Sequence, residues 1–495
     1  MVAIRKTNPL ELSEIVSRIG HFIPLFTTDQ YPRFIPKDLV AATQVSRLWY
    51  NALSPLLWSF YSGTLNWSKA GPSDELVVKN SPHIRYFQSF GVQPALAADL
   101  QCRQLTHLSM SGYYGSHDEI SPEIMSNLIA MNRSRLKQLC WYGRYTLTYL
   151  DVETLIGPQP LRRLEMLSLS SWKTKNGELA KVLDSVSGTL QHLILSSMHG
   201  VCLGDFDNLT LPHVRDVELS FGNDPTPGLD DVLRAVPNVQ RVTLYFGHHW
   251  DAKRIAQNIR ECCLNLQEIV IHSPMEDEDL AEIIASCPPL TSIMSKMHIG
   301  LSDKVTQAIL DRHGESLESL ELETDWSSPP ANVPNLARVL HSCHRLKSLQ
   351  FKDLRDVTED ELTSELLAQP WACLGLESLR LMGFKPNRTL FLTNGEDIAL
   401  DGGQGSESES GETATRATDP SVLGADTLSS DPKVSTRTST RSEGSARRRV
   451  WTKVSENWRQ GDKDPSMFPG LLFLHLESLN KLERINLNHV EYRRQ

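Results

Sequence analysis

The sequence predicts an α/β solenoid, a curved stack with parallel strands on its concave face and helices on its convex face. Three observations predict it. First, a hexad with apolar residues at its first, fourth and sixth positions, as in Leu164-Glu165-Met166-Leu167-Ser168-Leu169, occurs twelve times. Its first positions are Leu105, Leu136, Leu164, Leu190, Val214, Val239, Leu266, Leu290, Leu317, Leu346, Leu376 and Leu482. Second, from Leu105 to Leu376 the intervals run from 24 to 31 residues, room for one strand and one helix but not for a domain. Third, helical stripes lie between the hexads. A unit of this size cannot bury its own apolar face, so the units must stack. In one hexad Leu290 and Ile293 fit, but Ser295 stands where the third apolar residue belongs.

The pattern is that of leucine-rich repeats. Bulk properties agree with it. Apolar residues make up 40% of the 495 residues, as suits a continuous core. A net charge of −10 argues against a general polyphosphate binder, so no nucleic-acid partner is expected. No apolar run approaches the roughly 20 residues of a membrane span, and Met1 to Thr7 lacks the apolar stretch of a secretory signal. The expected location is cytoplasmic or nuclear, with no membrane partner and with reduced cysteines.

Residues 8–60 read as a separate helical module. Leu12, Ile15, Val16 and Ile19 follow the i, i+3, i+4, i+7 spacing of one helix face, with Asn8 as N-cap and Pro9 at the first helical position. A second helix is expected from Pro36, lined by Leu39, Ala42, Val45, Trp49 and Leu53 and limited by Pro55. Pro9-Leu10-Glu11, Ile15, Asp38-Leu39, Val45-Ser46-Arg47, Trp49-Tyr50 and Leu57-Trp58 together resemble an F-box. The resemblance implies docking on the Skp adaptor of a cullin–RING ubiquitin ligase, through Pro9, Leu10, Ile15, Leu39, Val45 and Trp49. An F-box directly ahead of leucine-rich repeats is a pairing typical of substrate receptors. The chain departs from the family at Gly20 to Ile35, where a longer connection carries Phe22, Ile23, Phe26, Tyr31 and Phe34. The periodicity serves equally well a helical cap over the open end of the repeat core.

Residues 61–104 read as a linker with a degenerate first repeat at Ile84-Arg85-Tyr86-Phe87, and residues 105–386 as the repeats. Convex helices are expected at Leu179/Val182/Leu183/Val186, Leu229/Val232/Leu233/Val236, Leu280/Ile283/Ile284/Cys287 and Leu336/Val339/Leu340/Cys343. Cys102, Cys263, Cys287, Cys343 and Cys373 each stand three residues before a hexad. Cysteine is thus expected there as a small buried hydrophobe rather than as part of a disulfide framework. Cys262-Cys263 and His248-His249 invite a metal reading, but without any CxxC pair no metal and no cofactor is expected.

Residues 387–465 are rich in Ser, Thr, Gly, Asp and Arg, and they are expected to be a disordered insertion before a terminal repeat at 466–495. Arg447-Arg448-Arg449 within it reads as a solvated charge run or a weak import patch.

With no phosphate loop, metal-ligand spacing or nucleophile elbow, the chain is expected to bind rather than to catalyse. The expected function is substrate recognition for a Skp–cullin–F-box ligase, with an unidentified protein substrate on the repeats. The alternative is an interaction scaffold without a ligase. Strand side chains alternate, so the third, fifth and seventh hexad positions should face the concave side. The candidate substrate site there is Tyr142, Asp216, Glu218, Phe221, Tyr245, Phe246, Glu321 and Glu323, an aromatic patch rimmed by acid that suits a basic target segment. The other reading of Phe221 and Phe246 folds them over the strand ends, packed between repeats.

Overall fold

The structure is a computed structural model describing residues 10, 12–24, 36–62, 72–88, 94–111, 122–142, 152–175, 177–221, 228–247, 250–273, 275–298, 301–324, 332–352, 354, 357–384, 451–456, 476, 479, 481–487 and 490–494. Every hexad forms a strand that begins at its third position. These strands are β3 (His107–Ser111), β4 (Gln138–Tyr142), β5 (Met166–Ser170), β6 (His192–Ser196), β7 (Asp216–Ser220), β8 (Arg241–Tyr245), β9 (Glu268–Ile271), β10 (Ser292–His298), β11 (Ser319–Thr324), β12 (Ser348–Phe351), β13 (Ser378–Leu381) and β15 (Arg484–Leu487). Two strands precede them, β1 (Phe60–Ser62) and β2 (Tyr86–Gln88), and two others, β14 (Trp451–Glu456) and β16 (Val490–Arg494), complete the set. Among the described residues they form one 16-stranded sheet in the order β1 to β13, β15, β16, β14. Pairing is parallel from β1 through β13 to β15.

Register follows the hexads. Third positions face one another from His107 through Gln138, Met166, His192, Asp216 and Arg241 to Glu268. First, fourth and sixth residues turn inward, so that Leu164, Leu167 and Leu169 are all fully buried. One apolar cluster runs without a break from Tyr61 to Leu487. The convex side is closed by helices such as Glu178–Val186, Asp277–Ser286 and Val333–Ser342, and their expected stripes point into that cluster. The five cysteines of the shared slot are fully buried, and burial pushes the thiols of Cys102, Cys263, Cys343 and Cys373 up to about 12.

Buried polar side chains bridge neighbouring repeats at the helix ends. Asn132 accepts from the Leu105 N–H at 2.8 Å and donates to the Cys102 carbonyl at 2.6 Å. His313 Nδ1 accepts from the Leu290 N–H at 3.0 Å, while Nε2 faces the Ile284 carbonyl at 3.0 Å. That arrangement requires the neutral ring protonated on Nε2, and burial accordingly lowers the pKa of His313. These side chains satisfy backbone groups that the sheet leaves open where one repeat turns into the next.

Several expectations are corrected. The degenerate repeat at 84–87 forms β2, which pairs in register with β3, and the stretch ahead of it is not only a linker, because β1 pairs in register with β2. The register places Trp58 and Tyr61 at first and fourth hexad positions, a repeat hidden because its leading residue is aromatic. Leu229–Ala235 is a 3-10 helix rather than an α-helix. Gly228 starts it at φ 96°, where a Cβ would strike the Cys202 carbonyl. The disordered insertion expected at 387–465 contains β14, which pairs antiparallel with β16. The rest of that insertion, with Arg447-Arg448-Arg449, lies outside the described residues. The 466–495 segment supplies one repeat strand, β15, and then reverses. Only two residues separate β15 from β16, enough for an antiparallel hairpin but not for a parallel crossover.

Ser295 is fully buried, and its hydroxyl finds no hydrogen-bond partner among the described residues. Ser295→Val should raise stability by about 1 kcal/mol, read as a higher urea midpoint at unchanged m-value. Asn132→Ala should lower it by about 2 kcal/mol, because the Leu105 N–H and the Cys102 carbonyl would lose their partner inside the core.

Candidate functional site: the concave face and the helical module

The concave candidates divide by position. Tyr142 closes β4 with 43% of its surface exposed. Burial of its ring raises its phenol pKa, and Cys140 and Glu218 add to the rise. Glu218 is half-buried at a fifth position, and its pKa is also raised by burial, against the pull of Arg241. Tyr245 stacks on His272 of the next repeat, with centroids 4.3 Å apart and planes within 3°. Tyr142 and Tyr245 lie at corresponding positions on β4 and β8, four strands apart, so they do not meet.

Phe246 is only 9% exposed. Its ring stacks between Phe221, at 5.7 Å, and Trp250, at 4.2 Å. Ser273 Oγ binds both its N–H and its carbonyl. Phe221 is held by its N–H, which donates to the Tyr245 carbonyl at 2.7 Å, and its side chain packs on the core. The exposed aromatic patch expected at Phe221 and Phe246 is therefore corrected to a partly buried inter-repeat stack, the other reading that the sequence offered. An aromatic ring at the eighth position has left the strand, and folding over its end removes apolar area from water.

Acidic candidates are paired across strands. Asp216 Oδ2 lies 2.6 Å from His192 Nδ1. Glu268 faces Arg241 at 3.5 Å. Glu321 accepts from Gln350, and Glu323 pairs with Lys352. Parallel register puts each acid beside its partner at strand spacing. Among the described residues, of the four candidate acids only Glu323 meets a full cation; Asp216 meets a histidine and Glu321 a neutral amide.

The N-terminal module is three helices, α1 (Ser13–Phe22), α2 (Lys37–Thr43) and α3 (Arg47–Leu57). The single second helix expected from Pro36 is corrected: it breaks at 44–46, where Ser46 Oγ accepts the Trp49 N–H at 3.2 Å and caps a new helix. Pro55 lies inside α3 instead of limiting it. The module has its own core, Val16, Leu39, Leu53 and Leu56, separate from that of the solenoid. Gly20 lets α1 approach α3, since a Cβ there would fall on Leu53 and Leu56.

The six adaptor-facing candidates separate accordingly. Leu39 is 0% exposed and is corrected from a surface contact to a core residue. Ile15 and Trp49 are half-buried, and Trp49 packs against the module core. Leu10 and Val45 are exposed, at 48% and 65%. Pro9 and Asn8 lie outside the described residues, as do most of the connecting residues up to Phe34. Phe22, Val40 and Tyr50, which were not among the six, are exposed too.

Among the described residues, no group of three or more His, Cys, Asp or Glu side chains converges as a metal site. Register and hexad spacing define the class of protein: an α/β leucine-rich-repeat solenoid. No family model matches the chain, and no curated protein matches it. Solved structures that match include a plant peptide hormone receptor, RGFR1, in complex with RGF2. The identity is 15%, the match covers 64% of this chain and 46% of that one, and the TM-score is 0.29.

Two histidines of the third-position ladder should titrate in opposite directions. Burial, with Lys137 nearby, lowers His107 to about 4, whereas the hydrogen bond to Asp216 raises His192. NMR titration should therefore find His192 still charged above the ordinary value of about 6.5, and Asp216→Asn should return it downward. The His192–Asp216 pair stabilises the fold fully below pH of about 6.5, and that contribution is lost as pH rises through the raised pKa.

Proposed function

We propose that the chain is the substrate-recognition subunit of a Skp–cullin–F-box ubiquitin ligase, working in the cytoplasm or nucleus without a catalytic site of its own. The helical module takes the Skp adaptor, and the repeats take a protein substrate that the ligase modifies. The observation that carries this reading is the exposed apolar rim of the module, Leu10, Phe22, Val45 and Tyr50. A cap has to be apolar towards the solenoid and polar outwards. This module is closed around a separate core and presents apolar side chains outside it, as a docking element does. The resemblance of 8–60 to an F-box supplies the identity of the partner. On the repeats, Tyr142 is the exposed aromatic anchor for substrate, within the electrostatic reach of Glu218 three strands away. The scaffold reading shares the repeats and lacks the adaptor.

Leu10→Glu with Val45→Glu should abolish co-purification of the Skp adaptor and leave the melting temperature within about 2 °C, because both side chains are exposed. Undiminished adaptor capture by the folded double variant would reject the ligase assignment. Leu39→Ala is unsuitable for this test, since it opens the core of the module.

A further inference from the structure

A second surface lies along the N-terminal edge of the strands, outside the concave face. It is a groove of about 920 Å³ running from Lys137 to Gln267 across β4 to β9. Its two walls come from the repeat geometry. One wall is the second hexad position, including Glu165, Gln191, Arg215 and Gln240, and the other is the turn just before each hexad, including Arg162, Arg163, His213, Asn238 and Asn265. Second-position backbones are tied in a ladder, each N–H donating to the preceding second-position carbonyl from Lys137 to Gln267 at 2.7 to 2.9 Å. The side chains therefore stand in a fixed row.

The chemistry changes along the row. At the β4–β7 end are Lys137, Arg162, Arg163 and Arg215, opposed by one carboxylate, Glu165. Lys137 takes that carboxylate at 2.7 Å. The three arginines are exposed and make no ion pair among the described residues. Elsewhere on the same edge the cations are matched: Glu318 binds both Arg345, at 2.8 Å, and Lys347, at 2.6 Å. At the β8–β9 end the groove holds only amides, Asn238, Gln240, Asn265 and Gln267, with its two asparagines fixed by bonds to the Pro212 and Pro237 carbonyls.

We propose that this groove binds an extended peptide segment of a partner protein that is acidic at one end. Three unpaired guanidiniums are an excess of planar, fork-shaped donors on a chain whose net charge is −10, and they suit carboxylate or phosphoryl oxygens. The side-chain amides of Gln240 and Gln267, which the asparagine bonds leave untouched, carry both a donor and an acceptor, the combination that a peptide backbone offers in return. Five strand spacings of about 4.8 Å give a row of about 24 Å, the span of about seven extended residues. A nucleic acid carries charge along its whole length, and the amide half of the row has no cation to meet it. The proposal stands apart from adaptor docking, since peptide capture needs no Skp protein.

The test pans a random heptapeptide display library in parallel against the full chain and against the Arg162→Glu, Arg163→Glu, Arg215→Glu variant. Wild type should enrich peptides with Asp and Glu clustered at one end, and the variant should not. Fluorescence anisotropy then follows a labelled synthetic copy of the enriched peptide, a copy with phosphoserine in place of one acid, and a labelled deca-thymidylate. The peptide should bind at least tenfold more weakly to the triple variant, lose affinity as salt rises, and bind undiminished to Tyr142→Ala on the concave face. The phosphoserine copy tells whether phosphate or carboxylate is preferred. Equal acidic enrichment by the variant, no enrichment by wild type, or deca-thymidylate binding as tightly as the peptide would each overturn the proposal. All three arginines are exposed, so unchanged circular dichroism of the variant separates lost binding from lost folding.

Discussion

Each repeat depends on its neighbours to cover it. A hexad contributes three large side chains to the interior, and a strand of four to seven residues with one short helix cannot enclose them alone. The cluster running from Tyr61 to Leu487 exists because every strand between β1 and β14, the two ends of the sheet, is hydrogen-bonded on both sides, so that each repeat covers the next. This constraint also explains the buried polar residues. Where a helix turns into a strand, backbone groups are left inside, and Asn132 and His313 reach across the repeat boundary to satisfy them. A buried polar residue at such a junction does not weaken the core, because it replaces water for groups that would otherwise be orphaned.

The same ladder that buries the leucines lines up everything else. Side chains at one hexad position come to lie at strand spacing, so opposite charges in adjacent repeats find each other without design over distance. His192 with Asp216, Arg241 with Glu268, and Glu323 with Lys352 are pairs of this kind. Their effect is to reduce the free charge on the concave face, where Tyr142 is an exposed aromatic. On the N-terminal edge the pairing is incomplete, and Arg162, Arg163 and Arg215 keep their charge available. One fold thus carries two surfaces of different chemistry, on different sides of the same strands.

The helical module obeys a different rule. Its few core residues are drawn from three helices, and its stability rests on the close approach that Gly20 permits rather than on repetition. A core this small leaves much apolar surface outside, which separates the module physically from the closed, repeating unit that follows it.

The sequence by itself determined the solenoid. The hexads fixed the strands, their register and the buried leucines, because a strand has a period of two and an apolar residue in the wrong phase would face water. The slot three residues before each hexad likewise marked Cys102, Cys263, Cys287, Cys343 and Cys373 as core. What the tertiary structure decided were matters of contact between residues far apart in sequence. Leu39 and Val45 both fit one helical stripe, yet a capped break at Ser46 buries the first and exposes the second. Phe246 reads as a surface aromatic until Phe221 and Trp250 close over it. The strand at Trp451–Glu456 is short and sits in polar sequence, and only the free edge offered by Val490–Arg494 gives its backbone partners. The arginine row was invisible in the hexad pattern because its residues are scattered over about fifty positions, and stacking alone brings them to one edge.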